Sequence, residues 1–164
     1  MTDHVDHVLA QWQDQRPDLD VSPMAVLGRL SRLTQLSGAE LRKTFAAHGL
    51  DAASFDVLAT LRRGEPPHSL TPTELMRSAM VTSGAITQRL DRLEERGLVR
   101  RSRSESDGRG IHVALTDAGH KLIDAALPDH VATEERLLSP LTPKQRAALA
   151  DALRTLLESL GDAT

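Results

Sequence analysis

The sequence predicts a mostly helical protein carrying one small β-hairpin, and three observations predict it. Apolar residues recur at intervals of three and four along most of the 164 residues, the spacing of helices with one buried face. Strict alternation occurs in one place, Ile111-His112-Val113-Ala114-Leu115, which is the period of a strand with one covered face. Threonine or aspartate caps and Thr-Pro pairs mark helix starts, and glycines mark the stops.

At the N-terminal end, Val5, Val8, Leu9 and Trp12 share one helical stripe between Asp3 and Gln15, and Pro17 sets the latest possible stop. Arg16 to Val21 reads as a linker. Ser22-Pro23 opens a second helix, in which Leu27, Leu30, Leu33, Leu41 and Phe45 broadly keep one apolar face until Gly49. Asp51 caps a third helix with Phe55, Leu58 and Leu61, ended by Gly64 and Pro66-Pro67, and Leu70 fits a short strand. Beyond the hairpin, Thr116 caps a helix with Leu122, Ile123 and Leu127. That helix is expected to break or kink at Pro128, because proline cannot donate to the preceding turn. Val131, Leu137 and Leu138 continue its apolar pattern. Thr142-Pro143-Lys144-Gln145 starts a last helix, whose Leu149, Leu153, Leu156 and Leu160 repeat at four, three and four residues.

The stretch from Leu70 to Gly119 carries the chemistry. In Thr71-Pro72-Thr73-Glu74, Thr71 caps the free N–H groups, Pro72 fits the first helical position and Glu74 reaches back to the cap. Leu75, Met76, Ala79 and Met80 should then pack inward. After Val81 a second helix starts near Thr82 or Ser83 and runs to Arg96, with Gly97 as its stop. Ile86, Leu90 and Leu93 form its buried stripe, which leaves Ser83, Thr87, Gln88 and Arg92 pointing outward. Hydroxyls, an amide and a guanidinium on one exposed side are groups that reach base edges and phosphates. An ordinary solvated helix face looks the same.

The residues after Gly97 separate these readings. Leu98-Val99-Arg100-Arg101 starts a strand, Ile111 to Leu115 returns it, and Arg109 lies between Gly108 and Gly110 at the tip. By itself DGRG fits any hairpin loop or, weakly, a phosphate-binding loop, although it lacks the Lys-Ser/Thr of a P-loop. The order helix, helix, basic hairpin is far more specific. It describes a winged helix-turn-helix, which reads DNA with its second helix in the major groove and its wing in the adjacent minor groove. The candidate contacts are Thr82, Ser83, Thr87, Gln88 and Arg92 for bases or flanking phosphates, and Arg103 and Arg109 on the wing.

The segment LVRRSRSESDGRGIHVALTDAG resembles the wing signature of MarR-type transcriptional regulators, in which an Asp-Arg-Arg tip leads to a Leu-Thr-x-x-Gly turn. Asp107 matches the Asp, Arg109 the second Arg, and Leu115 to Gly119 the turn. Gly108 stands in place of the first Arg, so one basic contact is missing and affinity leans on Arg109 and Arg103. The resemblance runs over nearly the whole chain. It implies a homodimer on a palindromic operator in double-stranded DNA, with repression released by a small molecule. It also implies three regions: 1–48 with dimerisation helices and a possible ligand pocket, 49–119 for DNA reading, and 120–164 for dimerisation. On spacing alone, the leucines from Leu149 to Leu160 serve a monomer core as well as a dimer surface.

The long N-terminal helix with Trp12, the Phe55-Asp56 pair and Arg89 resemble the urate-responsive branch of that family. There, matching Trp, Asp and Arg residues are implicated in holding a small planar anion, so the resemblance implies a urate-like anion or a phenolic compound as effector. Read from the residues alone, Trp12 fits a core position and Asp56 with Arg89 fits a plain ion pair. Arg89 lies at the edge of the buried stripe, where a guanidinium needs a carboxylate or an anionic ligand.

Charge and composition bound the alternatives. The chain carries a net −3, yet the stretch from Arg96 to Arg109 has five arginines against Glu105 and Asp107, leaving it at +3 and the remainder at −6. A basic wing on an acidic body directs DNA to one surface. The absence of cysteine excludes disulfide scaffolds, cysteine nucleophiles and the thiol-based sensing found in some MarR-type regulators. No apolar run approaches membrane length, and the first residues carry acids rather than a signal peptide's Lys or Arg, so a soluble, cytoplasmic chain is expected. No Ser/His/Asp arrangement, dinucleotide loop or metalloprotease helix is present, so neither catalysis nor a cofactor is expected. Two rivals remain. One is a metal-responsive regulator, since His4 and His7 lie one turn apart, although no cysteine joins them. The other is a winged-helix module used only for protein contacts, which predicts no salt-dependent DNA binding.

Overall fold

The computed structural model describes residues 2–66, 68–79, 86–103 and 110–162. Its elements run α1 (His4–Gln15), α2 (Ser22–Ala47), α3 (Ala52–Arg63), β1 (Ser69–Leu70), α4 (Pro72–Ser78), α5 (Ile86–Glu95), β2 (Val99–Arg103), β3 (Ile111–Leu115), α6 (Asp117–Leu138) and α7 (Pro143–Ser159). The protein is therefore mostly helical with one small antiparallel sheet, ordered β1-β3-β2. The short strand expected at Leu70 pairs with Val113 at one edge of that sheet. Val99 to Arg103 pair with Leu115 to Ile111 at the other edge.

Capping fixes the helix starts as the local sequence dictates. Thr71 with Glu74 and Thr142 with Gln145 form reciprocal capping boxes, each followed by proline in the first turn. Asp3 with Asp6 makes an acidic version at the start of α1. Asp51 and Thr116 cap α3 and α6 by accepting from the backbone N–H of Ser54 and Gly119.

The chain divides into two compact units, one up to Lys43 and one from Thr44 onward. In the first, Arg29 on α2 holds both acids of the α1 cap, at 2.8 Å from Asp3 and 2.6 Å from Asp6. Val5 is buried beside Gly28, where an added Cβ would come within 3.3 Å of it. Trp12, on the expected apolar stripe, is 42% exposed. In the second unit the core is built from α3, α4, α5, α6 and the sheet, and Leu58, Leu61, Leu75, Leu93, Val113 and Ile123 are completely buried. At one side Phe45 stacks on Phe55 with ring centres 4.4 Å apart, and His130 closes the cluster at 4.7 Å from Phe55.

Two expectations need correction. The break expected at Pro128 is absent, and α6 stays helical through it. Proline in a helix interior costs about 3 kcal/mol, but Pro128 sits on the exposed side while Ile123, Ala126 and Thr133 anchor the other face. Second, α4 stops at Ser78, and Ala79 has already turned to extended backbone (φ −77°, ψ 145°). Of the residues expected to face inward there, Leu75 is buried and Met76, about 100° further round the helix, is 38% exposed. Met80 lies outside the described residues. The apolar face read along α2 is open within this chain, with Leu27 and Leu33 64% and 53% exposed.

Candidate nucleic-acid interface

The interface is built on α4, α5 and the β2–β3 hairpin. Both oxygens of the α4 capping box are used: Glu74 accepts from the Thr71 N–H at 2.7 Å, and Thr71 accepts from the Glu74 N–H at 3.2 Å. The Thr71 N–H and hydroxyl hold the Glu74 carboxyl below its usual range, and His112 and Arg77 lower it further. At the other end of α4, Arg63 donates to the Ser78 carbonyl, one of the groups left free where a helix stops.

Helix α5 sorts its residues by face. Leu90 and Leu93 are 1% and 0% exposed and Ile86 is half-buried, whereas Thr87, Gln88 and Arg92 are all exposed. A 3.6-residue turn puts these three on the side away from the leucines. The helix ends where Gly97 takes a φ of 66°. The Leu98 N–H then reaches the Leu93 carbonyl at 2.9 Å and the Gly97 N–H the Glu94 carbonyl at 2.8 Å, a left-handed glycine stop. Thr82, Ser83 and Arg109 lie outside the described residues. Arg103 stands exposed at the far end of β2.

One residue acts in a way that spacing did not reveal. Arg101, counted in the basic stretch, is turned back onto α5. Its guanidinium donates to Asp91 at 2.6 Å, to Glu94 at 3.1 Å and to the Thr87 carbonyl at 3.3 Å, while its backbone N–H donates to Glu94 at 2.8 Å. Arg101 is thus a strap between the first wing strand and the recognition helix, and its charge is largely spent on two carboxylates. The signal for it was available: Asp91 and Glu94 are one turn apart beside the apolar stripe and need a cation. Among the described residues Arg92, Arg96, Arg100 and Arg103 have no carboxylate partner, so the positive charge of this stretch left for a phosphate backbone resides there.

The proposed ligand residues are dispersed over the chain. Trp12 belongs to the first unit. Asp56 is buried in α3, and Arg89 is half-buried on α5. Burial pushes the Asp51 carboxyl up, but its hydrogen bonds from Ser54 and the charge of Arg89 outweigh this and hold it below the ordinary value. Within the first unit an apolar groove of about 440 Å³ lies between α1 and α2, with Val8, Leu9 and Leu27 in its wall and Arg32 at its margin. Among the described residues no three His, Asp or Glu side chains are grouped to hold a metal, and no helix is long and apolar enough to cross a membrane.

The MarR family model matches residues 48–110. The HTH-type transcriptional regulator PecS of Dickeya dadantii is 41% identical over 145 residues, which cover 88% of this chain and 87% of PecS. The chain belongs to the MarR family of winged helix-turn-helix transcriptional regulators. Among solved structures, the MarR-family regulator Sco3205 of Streptomyces coelicolor in complex with DNA is similar at a TM-score of 0.78 and 28% identity, covering 87% of this chain and 93% of that one. BpsR of Bordetella bronchiseptica, whose DNA binding is regulated by 6-hydroxynicotinic acid, is similar at a TM-score of 0.70 and 26% identity, covering 80% of this chain and 98% of that one.

As a MarR-family member the protein is a regulator and not an enzyme, and the geometry explains its Leu-Thr-x-x-Gly turn. The Thr116 hydroxyl donates to the Gly97 carbonyl at 2.6 Å, and its N–H to the Leu98 carbonyl at 3.1 Å. Together these bonds clasp the end of the recognition helix to the exit of the wing. Gly119 lies so close to that clasp that a Cβ would sit 2.0 Å from the Leu98 carbonyl oxygen. Glycine is required here for space, whereas at Gly97 nothing lies within 4 Å of an added Cβ and the need is for positive φ.

Proposed function

We propose that this chain is a cytoplasmic, homodimeric repressor that reads a palindromic operator in double-stranded DNA. Helix α5 enters the major groove with Thr87, Gln88 and Arg92, Thr82 and Ser83 are further candidate contacts, and Arg103 and Arg109 are the candidates for the neighbouring backbone and minor groove. The observation that carries this reading is the sorting of α5: its leucines are fully covered while Thr87, Gln88 and Arg92 stand in solvent. A relative of similar fold captured on DNA supports it. Dimerisation is supported by the apolar side chains left in water outside the reading lobe, among them Leu27 at 64%, Val131 at 54% and Leu160 at 83% exposure. Residues 1–48 and 120–164 supply that surface, and residues 49–119 read DNA.

The effector in this reading is a small anionic or phenolic aromatic compound held by Trp12, Asp56 and Arg89. The regulation of BpsR by 6-hydroxynicotinic acid, an aromatic acid, supports the ligand class. Arg89 lies on the recognition helix itself, so an anion bound to it shifts the population of DNA-competent helix positions. The test is fluorescence anisotropy on DNA upstream of the protein's own gene, with urate and 6-hydroxynicotinate titrated into the complex. Release by one of them, lost in Arg89→Ala while DNA affinity stays, is the expected result. Release that survives Arg89→Ala would remove Arg89 from the ligand site, and binding that neither compound disturbs would discard this effector class.

A further inference from the structure

Two histidines that operator reading does not use lie against each other in the second unit. His68 stands in the connection between α3 and β1, and His120 in the first turns of α6. Their ring centres are 5.2 Å apart with the planes at 73°. His68 Nδ1 lies 2.8 Å from the Gly64 carbonyl oxygen. A carbonyl only accepts, so Nδ1 carries a proton and, in the neutral ring, Nε2 keeps its lone pair. Metal-binding imidazoles are usually held this way, with the second nitrogen donating to a carbonyl or carboxylate. His68 also has a φ of 54°, a left-handed conformation uncommon outside glycine, and the bond to Gly64 orients its ring. The His120 ring nitrogens have no hydrogen-bond partner among the described residues.

The separation fits a shared cation. Two imidazoles on one tetrahedral metal, with bonds of about 2.0–2.1 Å, place their ring centres roughly 5 Å apart. Asp124, one turn beyond His120, is engaged by Arg62 at 2.7 Å, which makes it an outer neighbour. We propose that His68 and His120 form an open, two-imidazole site for a borderline divalent cation of the Zn²⁺ type, with water in the remaining positions. Imidazole suits Zn²⁺, Cu²⁺ and Ni²⁺ over Mg²⁺ and Ca²⁺. A cation held there ties the α3–β1 connection, which leads into α4, to the helix after the wing. The site stands independently of the operator and effector readings.

The experiment is isothermal titration of untagged, full-length protein with ZnCl₂, using wild type, His68→Asn, His120→Gln, His120→Cys and the double variant His4→Gln/His7→Gln. Asparagine tolerates the left-handed backbone at position 68. Wild type should show saturable binding, weakened by at least about tenfold in His68→Asn and His120→Gln. Binding should be retained in His120→Cys, which restores a zinc ligand, and in the double variant. Zn²⁺ should raise the Tm of wild type and not of the two weakened variants. Wild type that takes no Zn²⁺, unchanged affinity in His68→Asn and His120→Gln, or loss confined to His4→Gln/His7→Gln would each overturn the assignment.

Discussion

Helices α4 and α7 start with the same chemistry, a Thr-Pro pair whose threonine caps the first turn and whose third helical residue reaches back to it. They differ in what their leucines meet. Leu75 of α4 is completely buried, in a helix that packs on α3, α5, β1 and β3. Helix α7 buries none of its residues, leaving Leu156 44% exposed, and its C-cap Leu160 is 83% exposed. Capping and periodicity make a helix; they do not supply the surface that covers it. Leu75 finds its cover within one chain, and under the homodimer proposed above a second copy covers the leucine face of α7.

The largest effect is expected from breaking the complete side. Gly119→Ala forces a Cβ onto the Leu98 carbonyl oxygen, 2.0 Å away before relaxation. It should destabilise the protein by about 3 kcal/mol or more, read as a lower midpoint in urea; a stability within about 1 kcal/mol of wild type would mean that the clasp yields easily.

Breaking the incomplete side should spare the fold. The double substitution Leu156→Asp/Leu160→Asp puts carboxylates on the face assigned to the partner, so sedimentation should show monomers with normal helix content. Operator affinity should then fall on the order of 100-fold, because the two half-sites no longer act together. A variant that stays dimeric would move the dimer surface elsewhere.

Arg101→Ala tests the strap from β2 to α5. Charged hydrogen bonds contribute about 1.5–3 kcal/mol when well protected, and here the carboxylates are roughly half exposed, so a loss of about 1 kcal/mol is expected. It should appear as weaker specific binding with little change in the salt slope, since Arg101 is spent on Asp91 and Glu94. The smallest effect belongs to Arg103→Ala, which should weaken binding evenly across sequences and reduce the salt slope by about 1. If Arg101→Ala changed the slope and Arg103→Ala did not, the roles of the two arginines would be exchanged.

Much of the fold was legible because it is decided within four residues. Thr71, Thr116, Thr142 and Asp51 cap N–H groups three residues on, and Gly97 ends its helix by its own backbone. What was hidden depends on residues far along the chain. The Arg101 strap spans seven to ten residues across two elements, so counting charges treated it as free. The space requirement at Gly119 comes from Leu98, on the far side of the hairpin. Pro128 looked like a break because proline's local penalty is readable and the anchoring of Ile123 and Thr133 is not. On α5, the exposure of Gln88 and Arg92 was legible from their place off the apolar stripe.

Whether α5 and the wing read DNA is decided by the salt dependence of binding to DNA upstream of the protein's own gene and to a scrambled duplex. Tight binding to the former is expected, falling by roughly 10³ or more between about 50 and 200 mM salt for six or more phosphate contacts, with much weaker binding to the scrambled duplex. Equal affinity for both duplexes, or affinity indifferent to salt, would mean that this surface does not read DNA.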